Sequence, residues 1–410
     1  KMTDSFLSRR QFLQGTAVTS AALWTPNSAT ARTANNLTNE TEIGVSKWDL
    51  DTPVLCVDLD NFEQNVKTMQ DTVTSNGIDC RPHAKTHKCP TIARLQIANG
   101  ALGICTAKVS ESEIMFEHGV EQILQTTANV TPTKIKRAMN LRRQCSSFVQ
   151  ATYTEQNARM LSEAAAALGI VADVVVDIDP GGHRTGITAG QPALALAQLV
   201  DSLPNLNFQG ILCYDGGAQH VSGFEARRTR AIEGMSQAAE TYAVMTRAGL
   251  NMKIFSGGGT GTYNMDHETP GFTDVQSGSY IFMDTSYLSI GSRDNNETYT
   301  DFAPSLTIVT TVLTSQYEGR ATTDAGAKSC TINRPWPSVV GETGMSYTSG
   351  SDEFGTIRYE NPSRTYQTGE TLELVVSHCD PVVNLYDRIY ATRNDQVEAI
   401  WPIAARGKNQ

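Results

Sequence analysis

From residue 52 onward, short β-rich apolar runs alternate with longer stretches whose apolar residues recur at helical spacing. The runs fall at 53–57, 79–84, 102–107, 122–126, 147–152, 172–178, 208–214, 252–256 and 279–283. Among the stretches between them, 62–73, 111–118 and 224–248 carry apolar residues three and four apart. Such alternation predicts parallel βαβ units and an α/β fold of the TIM-barrel type. The runs number one more than an eight-stranded barrel needs, so the first, leading into Asp58-Leu59-Asp60, is surplus to it. After about residue 292 the rhythm changes. Residues 304–313, 321–332, 353–359, 371–378 and 388–392 read as successive strands between Gly, Pro, Asn and Asp turns, with no helix between them. The pattern predicts an α/β barrel over 61–291 followed by an all-β domain over 292–410.

The first residues follow neither rhythm. Ser8-Arg9-Arg10-Gln11-Phe12-Leu13 precedes a small-residue apolar stretch at 15–24, and Ala29-Thr30-Ala31 supplies an A-x-A cleavage site. This tripartite pattern predicts a twin-arginine signal at 1–31 and a periplasmic destination. The polar stretch 32–47 reads as a linker.

Composition narrows the function. Hydrophobic residues make up 40% of the chain and charged ones 19%, enough to bury a core. Acidic residues outnumber basic ones, 43 to 33, for a net charge of −10. A nucleic-acid or anionic-membrane partner would need a basic stripe, so neither is expected. No apolar run approaches the ~20 residues that span a bilayer. The eight cysteines show no CxxC spacing and read as buried thiols rather than a disulfide framework.

Polar residues collect at the predicted strand ends, where barrels carry their chemistry. One end reads Arg81-Pro82-His83-Ala84-Lys85-Thr86-His87-Lys88, another Gly182-His183-Arg184-Thr185-Gly186, a third Tyr214-Asp215-Gly216-Gly217-Ala218-Gln219-His220. A fourth runs into Ser256-Gly257-Gly258-Gly259-Thr260-Gly261-Thr262, whose bare backbone N–H groups suit a phosphate. By itself such a run serves equally well as a flexible turn. Lys85, among His83, His87, Arg81 and Lys88, is expected to have a depressed pKa, because neighbouring cations and burial both oppose its charge. A neutral lysine amine is what Schiff-base chemistry requires. Amine and phosphate nest together describe a pyridoxal phosphate site. In Ser377-His378-Cys379-Asp380-Pro381, an extended backbone would point His378 and Asp380 the same way, toward one cation. Alone, that pair is a weak signature of a metal.

These motifs, with Gly278-Ser279-Tyr280, occur in an order that resembles the fold-type III pyridoxal phosphate enzymes, specifically the D-threonine aldolase and metal-activated D-serine dehydratase family. The resemblance spans residues 48–405. It implies an alanine-racemase-like (β/α)8 barrel followed by a C-terminal all-β domain that also takes the N-terminal strand, here 48–60. By the same resemblance, Lys85 holds pyridoxal 5'-phosphate. Arg184 lies beside the pyridine nitrogen and keeps it unprotonated. Gly258, Gly259 and Thr260 cradle the phosphate, and Tyr214 lines the cofactor pocket. His378 and Asp380 bind a divalent metal (Mn, Mg or Zn), and His220 acts as base or orienting group near the substrate hydroxyl. The implied partner is a small D-3-hydroxy amino acid, and the implied assembly a homodimer.

Both branches of the family act on such substrates. The aldolase breaks Cα–Cβ to give glycine and an aldehyde; the dehydratase gives a 2-oxo acid and ammonia from D-serine or D-threo-3-hydroxyaspartate. The dehydratase metal pair is H-x-C and the aldolase pair H-x-D, a harder site. Asp380 therefore favours the aldolase. Phe354 and Tyr386 depart from relatives that often carry histidine there. A non-catalytic pyridoxal phosphate carrier is the third reading, disfavoured because such carriers are single barrels.

Overall fold

The structure, a computed structural model, describes residues 40–349 and 351–410. The export signal expected at 1–31 lies outside the described residues. Strand β1 (Val54–Asp58) leads into the helix Leu59–Ser75, whose start is capped where the Asp58 carboxylate accepts the Asn61 N–H at 2.8 Å. Leu59, Phe62, Val66, Met69 and Val73 recur three or four residues apart and form its buried stripe.

The barrel strands follow: β2 (Asp79–Cys80), β3 (Ile104–Thr106), β4 (Ile123–Gln125), β5 (Val149–Thr152), β6 (Ala172–Asp179) with its short appendage β7 (Ile187–Thr188), β8 (Leu206–Cys213), β9 (Ile254–Gly257) and β10 (Asp274–Val275). They pair in parallel round the sheet, β10 returning to β2. The Cys80 and Pro82 carbonyls accept the Leu102 and Cys105 N–H groups at 2.9 and 2.8 Å, which joins β2 to β3 and closes the ring. Side chains alternate between the two faces. Cys105, Leu124, Ala151, Val175 and Leu212 form a small inner core, while Ile104, Ile123, Val174, Val176 and Ile211 join the outer layer under the helices.

One predicted strand is corrected. Residues 279–283 begin with a single 3-10 turn, Ser279–Ile281, and the eighth barrel strand is the shorter β10. The apolar run Tyr280-Ile281-Phe282-Met283 is buried, but its backbone serves no ladder. The Asn65 amide, on the first helix, binds the Ile281 carbonyl at 3.3 Å.

The β domain comprises β11 (Leu306–Thr314), β12 (Arg320–Thr323), β13 (Ser338–Val339), β14 (Met345–Ser349), β15 (Gly355–Tyr359), β16 (Thr371–Val375), β17 (Arg388–Arg393) and β18 (Gln396–Pro402). Strand β1 lies between β11, antiparallel with Leu55 opposite Ile308, and β17, parallel with Val57 opposite Ala391. The surplus N-terminal strand thus belongs to this domain. Two strands expected here are shorter than their apolar runs suggest. Strand β12 gives way to a helical turn, Ala327–Cys330, and β16 stops before the helix Cys379–Val383.

Residues 40–47, expected as linker, are docked. Gly44 N–H and Val45 C=O bond Val397 at 2.8 and 2.9 Å, continuing the pairing beyond β18. Lys47 is buried between Glu373 and Asp395, 2.9 and 3.1 Å away. A polar stretch looks like linker until the carboxylates that receive its lysine are known. Among the described residues, no helix is long and apolar enough to cross a membrane, and all eight cysteines are buried and free.

Candidate active site

Turns at the carboxyl ends of the barrel strands line a cavity of about 340 Å³. Lys85 comes from the turn after β2, Lys108 from that after β3, Arg184 from beyond β6 and Tyr214 from the end of β8. Gly259 and Thr260 follow β9, and Gly278 and Ser279 follow β10. Parallel strands deliver all these groups to one rim because every strand ends on the same side.

Lys85 stands on a short 3-10 turn that His83 caps, its Nδ1 accepting the Lys85 N–H at 3.4 Å. Protein surrounds the side chain on most sides, yet 45% of its surface opens onto the cavity. The expected depressed pKa is not found. Burial lowers it, but the charge and hydrogen bond of Asp380 outweigh burial and hold the amine above the ordinary lysine range. The supposed cationic neighbours are neutralised. Arg81 pairs with Asp274 at 3.2 Å and Lys88 with Glu111 at 3.1 Å. Burial, with the Lys85 charge, pushes His83 well below its usual pKa, and burial lowers His87 to about 3. The decisive partner, Asp380, lies 295 residues away in the β domain.

The glycine run divides. Gly259 and Thr260 line the cavity; Gly258 does not, because its φ of +58° turns it toward Asp266, whose carboxylate an added Cβ would strike. At Gly259 a Cβ would come within 2.6 Å of Gln219 Oε1, and at Gly261 it would strike the Gln219 carbonyl, so the loop closes only with bare backbone at Gly261. Gln219 accepts the Gly261 N–H at 3.1 Å, and Thr262 Oγ accepts the Gly259 N–H at 3.2 Å while donating to Asp266 at 2.8 Å. Thr86 Oγ1 is buried at the cavity wall and forms no well-directed hydrogen bond with any described residue.

Arg184 is exposed, its guanidinium 4.9 Å from the Tyr214 ring centre. Asp177 shares the wall with it, and burial pushes the Asp177 carboxyl up to about 7 against a hydrogen bond from Thr185 and the Arg184 charge. His220 is not a wall residue. It packs at a tilt against Tyr287, which is one, with ring centres 4.4 Å apart; it is exposed on one side, and partial burial lowers its pKa.

His378 and Asp380 are not on an extended segment as expected. His378 has extended angles, but it precedes the helix Cys379–Val383 and Asp380 stands in that helix's first turn. Burial would raise the Asp380 carboxyl; the charges of Lys85 and His378, with the Thr86 hydroxyl close by, instead hold it below the usual carboxylate range. Asp380 Oδ1 is buried and takes no well-directed hydrogen bond from any described residue. Asp284, missed in the sequence because it follows a plain apolar run, accepts the His378 Nδ1–H at 3.0 Å. That bond leaves Nε2 as the histidine's available donor atom. Among the described residues no three His, Cys, Asp or Glu side chains form a ready cation site.

The alanine racemase N-terminal domain family model matches residues 57–286, and a serine dehydratase domain model matches 305–392. The chain is 36% identical over 358 residues to a D-threonine aldolase of an Arthrobacter species, covering 87% of this chain and 93% of that protein. It is 33% identical over 367 residues to a 3-hydroxy-D-aspartate aldolase of Paracoccus denitrificans, covering 89% and 94%. The crystal structure of D-threonine aldolase from Filomicrobium marinum superposes with a TM-score of 0.85 at 35% identity, covering 90% of this chain and 98% of that one. The chain belongs to the fold-type III pyridoxal phosphate enzymes. The cavity fits the cofactor that defines this family. It presents the Lys85 amine, the loop backbone at Gly259 and Thr260, and the buried Thr86 hydroxyl. The buried Asp380 Oδ1, unpartnered among the described residues, and the His378 Nε2 are the two donors that would hold a divalent cation.

Proposed function

We propose that this enzyme is a metal-assisted lyase that splits D-threonine-like D-3-hydroxy amino acids into glycine and an aldehyde. The observation that carries the reading is the meeting of Lys85 with Asp380, which brings the cofactor amine and the candidate cation ligands to one place. Pyridoxal phosphate, when bound, withdraws electrons from the substrate's Cα so that a bond there can break. Lys85 is the residue that holds it. Gly259, Thr260 and Ser279 offer the polar surface for its phosphate, and Arg184, beside Tyr214, would lie against its ring nitrogen. His378 and Asp380 would hold a divalent cation, which would supply Lewis-acid attraction for the substrate hydroxyl. His220, outside the wall but packed against Tyr287 and with its pKa lowered by partial burial, would take the hydroxyl proton on a ring nitrogen. A hard oxygen ligand at 380 supports the aldolase over the dehydratase.

The product assay decides. D-threonine incubated with cofactor-loaded enzyme should yield glycine and acetaldehyde, and a chelator should stop this while the cofactor's absorbance stays. A 2-oxo acid with ammonia would assign the dehydratase instead. Cofactor binding with no turnover on any D-3-hydroxy amino acid would leave a carrier. The twin-arginine pattern at 1–31 supports a periplasmic enzyme; replacing Arg9 and Arg10 by lysine should then retain it in the cytoplasm. A homodimer is the proposed assembly, tested by light scattering.

A further inference from the structure

Among the described residues, no lysine or arginine pairs with Asp284, yet its side chain is fully buried. All its bonds are to donors. Oδ1 accepts the Tyr287 N–H at 2.9 Å and so caps the short helix Thr285–Leu288. Oδ2 accepts the His378 Nδ1–H at 3.0 Å and the Cys379 N–H at 3.1 Å, with the Cys379 thiol at 3.3 Å. One oxygen therefore belongs to the barrel's last turn and the other to the β domain. The tautomer of His378 follows from this network, because a carboxylate oxygen can only accept. The capped helix also carries Tyr287, against whose ring His220 packs.

We infer that Asp284 is a positioning residue that fixes His378 as an Nε2 ligand and thereby sets the cation affinity of the His378–Asp380 pair. The inference rests on the metal reading proposed above. A carboxylate behind a ligating imidazole holds the ring's angle and raises its basicity, and losing such a partner typically weakens metal binding about 10–100-fold. An amide cannot replace it. Turned either way, the NH2 that Asp284→Asn introduces would meet N–H donors rather than acceptors.

The test is Mn2+ affinity, read by electron paramagnetic resonance on cofactor-loaded enzyme, for wild type, Asp284→Asn, Asp284→Ser and His378→Ala. Serine keeps a side-chain cap for the Tyr287 N–H but is too short to hold His378. Both Asp284 variants should bind Mn2+ about 10–100-fold more weakly while keeping the cofactor's absorbance band. A capping role alone would leave the serine variant's Mn2+ affinity at the wild-type value, and that result overturns the inference. If His378→Ala binds Mn2+ like wild type, it is the metal reading that falls. Should both Asp284 variants fail to fold, wild type loaded with Cu2+ gives the answer. Pulsed resonance should find a remote imidazole nitrogen whose proton exchanges slowly into D2O, and exchange as fast as in free imidazole would refute the carboxylate bond.

Discussion

On the barrel side of the site, Lys85, Arg184, Tyr214 and Gly259 each follow the carboxyl end of a strand, so strand direction alone gathers them. On the β-domain side, His378 and Asp380 stand where a strand gives way to a five-residue helix, and bonds across the domain boundary hold them there. The first group is placed by a repeated architecture and tolerates loop variation. The second is placed by a few individual contacts, Lys85 with Asp380 and Asp284 with His378 and Cys379. The difference shows where each function is vulnerable. The cofactor cavity is lined by several loops, whereas the proposed cation ligands hang on a few polar bonds between domains.

The largest effect should come from removing the amine. Lys85→Ala is expected to abolish the cofactor's absorbance band and to cut turnover by ~10³-fold or more. The same variant sharpens the contrast, because it releases Asp380 from its ion pair. Cofactor-free Lys85→Ala should bind Mn2+ more tightly than cofactor-free wild type in the same titration, and equal affinities would break the proposed link between the two walls.

Asp380→Asn should act on the other wall. Mn2+ affinity is expected to fall beyond the roughly 10–100-fold typical of losing an outer partner, with the cofactor still bound. The sign for Lys85 follows from its surroundings. Asp380 raises the lysine's pKa against burial, so the asparagine lowers it and enlarges the neutral fraction at pH 7–8. Cofactor capture, followed by the growth of its band, should then be several-fold faster than in wild type, since only the neutral amine attacks a carbonyl. A slower rise would contradict this balance of charges.

The smallest effect lies beneath the glycine loop. Burial pushes the Asp266 carboxyl up to about 8, so the folded chain keeps a proton that the unfolded chain sheds near its ordinary value. Stability therefore falls as pH rises toward 8, then levels off. Asp266→Asn removes that slope. Between pH 7 and 8, wild type should lose about 1 kcal/mol relative to the variant in urea unfolding. Parallel curves for the two would show Asp266 already ionised.

The comparison also explains what could be read in advance. Alternation of apolar runs marked the barrel strands β2 to β6, β8 and β9, since two-faced burial leaves a pattern at short range. At β10 two residues suffice between established neighbours, while the longer apolar run 279–283 has a strand's composition but a 3-10 turn's backbone. That Gly259 and Thr260 line the cavity was legible in the glycine run, but Gly258 was not separable from them until its φ and the Asp266 carboxylate were seen. Asp284 had no local signal, because its partners lie at 287, 378 and 379.

What the chain declares in one dimension is the class of chemistry: an amine, a glycine turn and an H-x-D pair, each a local string whose atoms are near in sequence. Only the folded arrangement decides their electrical state. Lys85 was expected to be neutral from its basic neighbours, yet Asp274 and Glu111 cancel two of them, burial silences the histidines, and Asp380 reverses the sign of the shift. The reason is that charge interactions act through space, so the groups that set a proton's affinity are chosen by the meeting of domains and not by their order along the backbone.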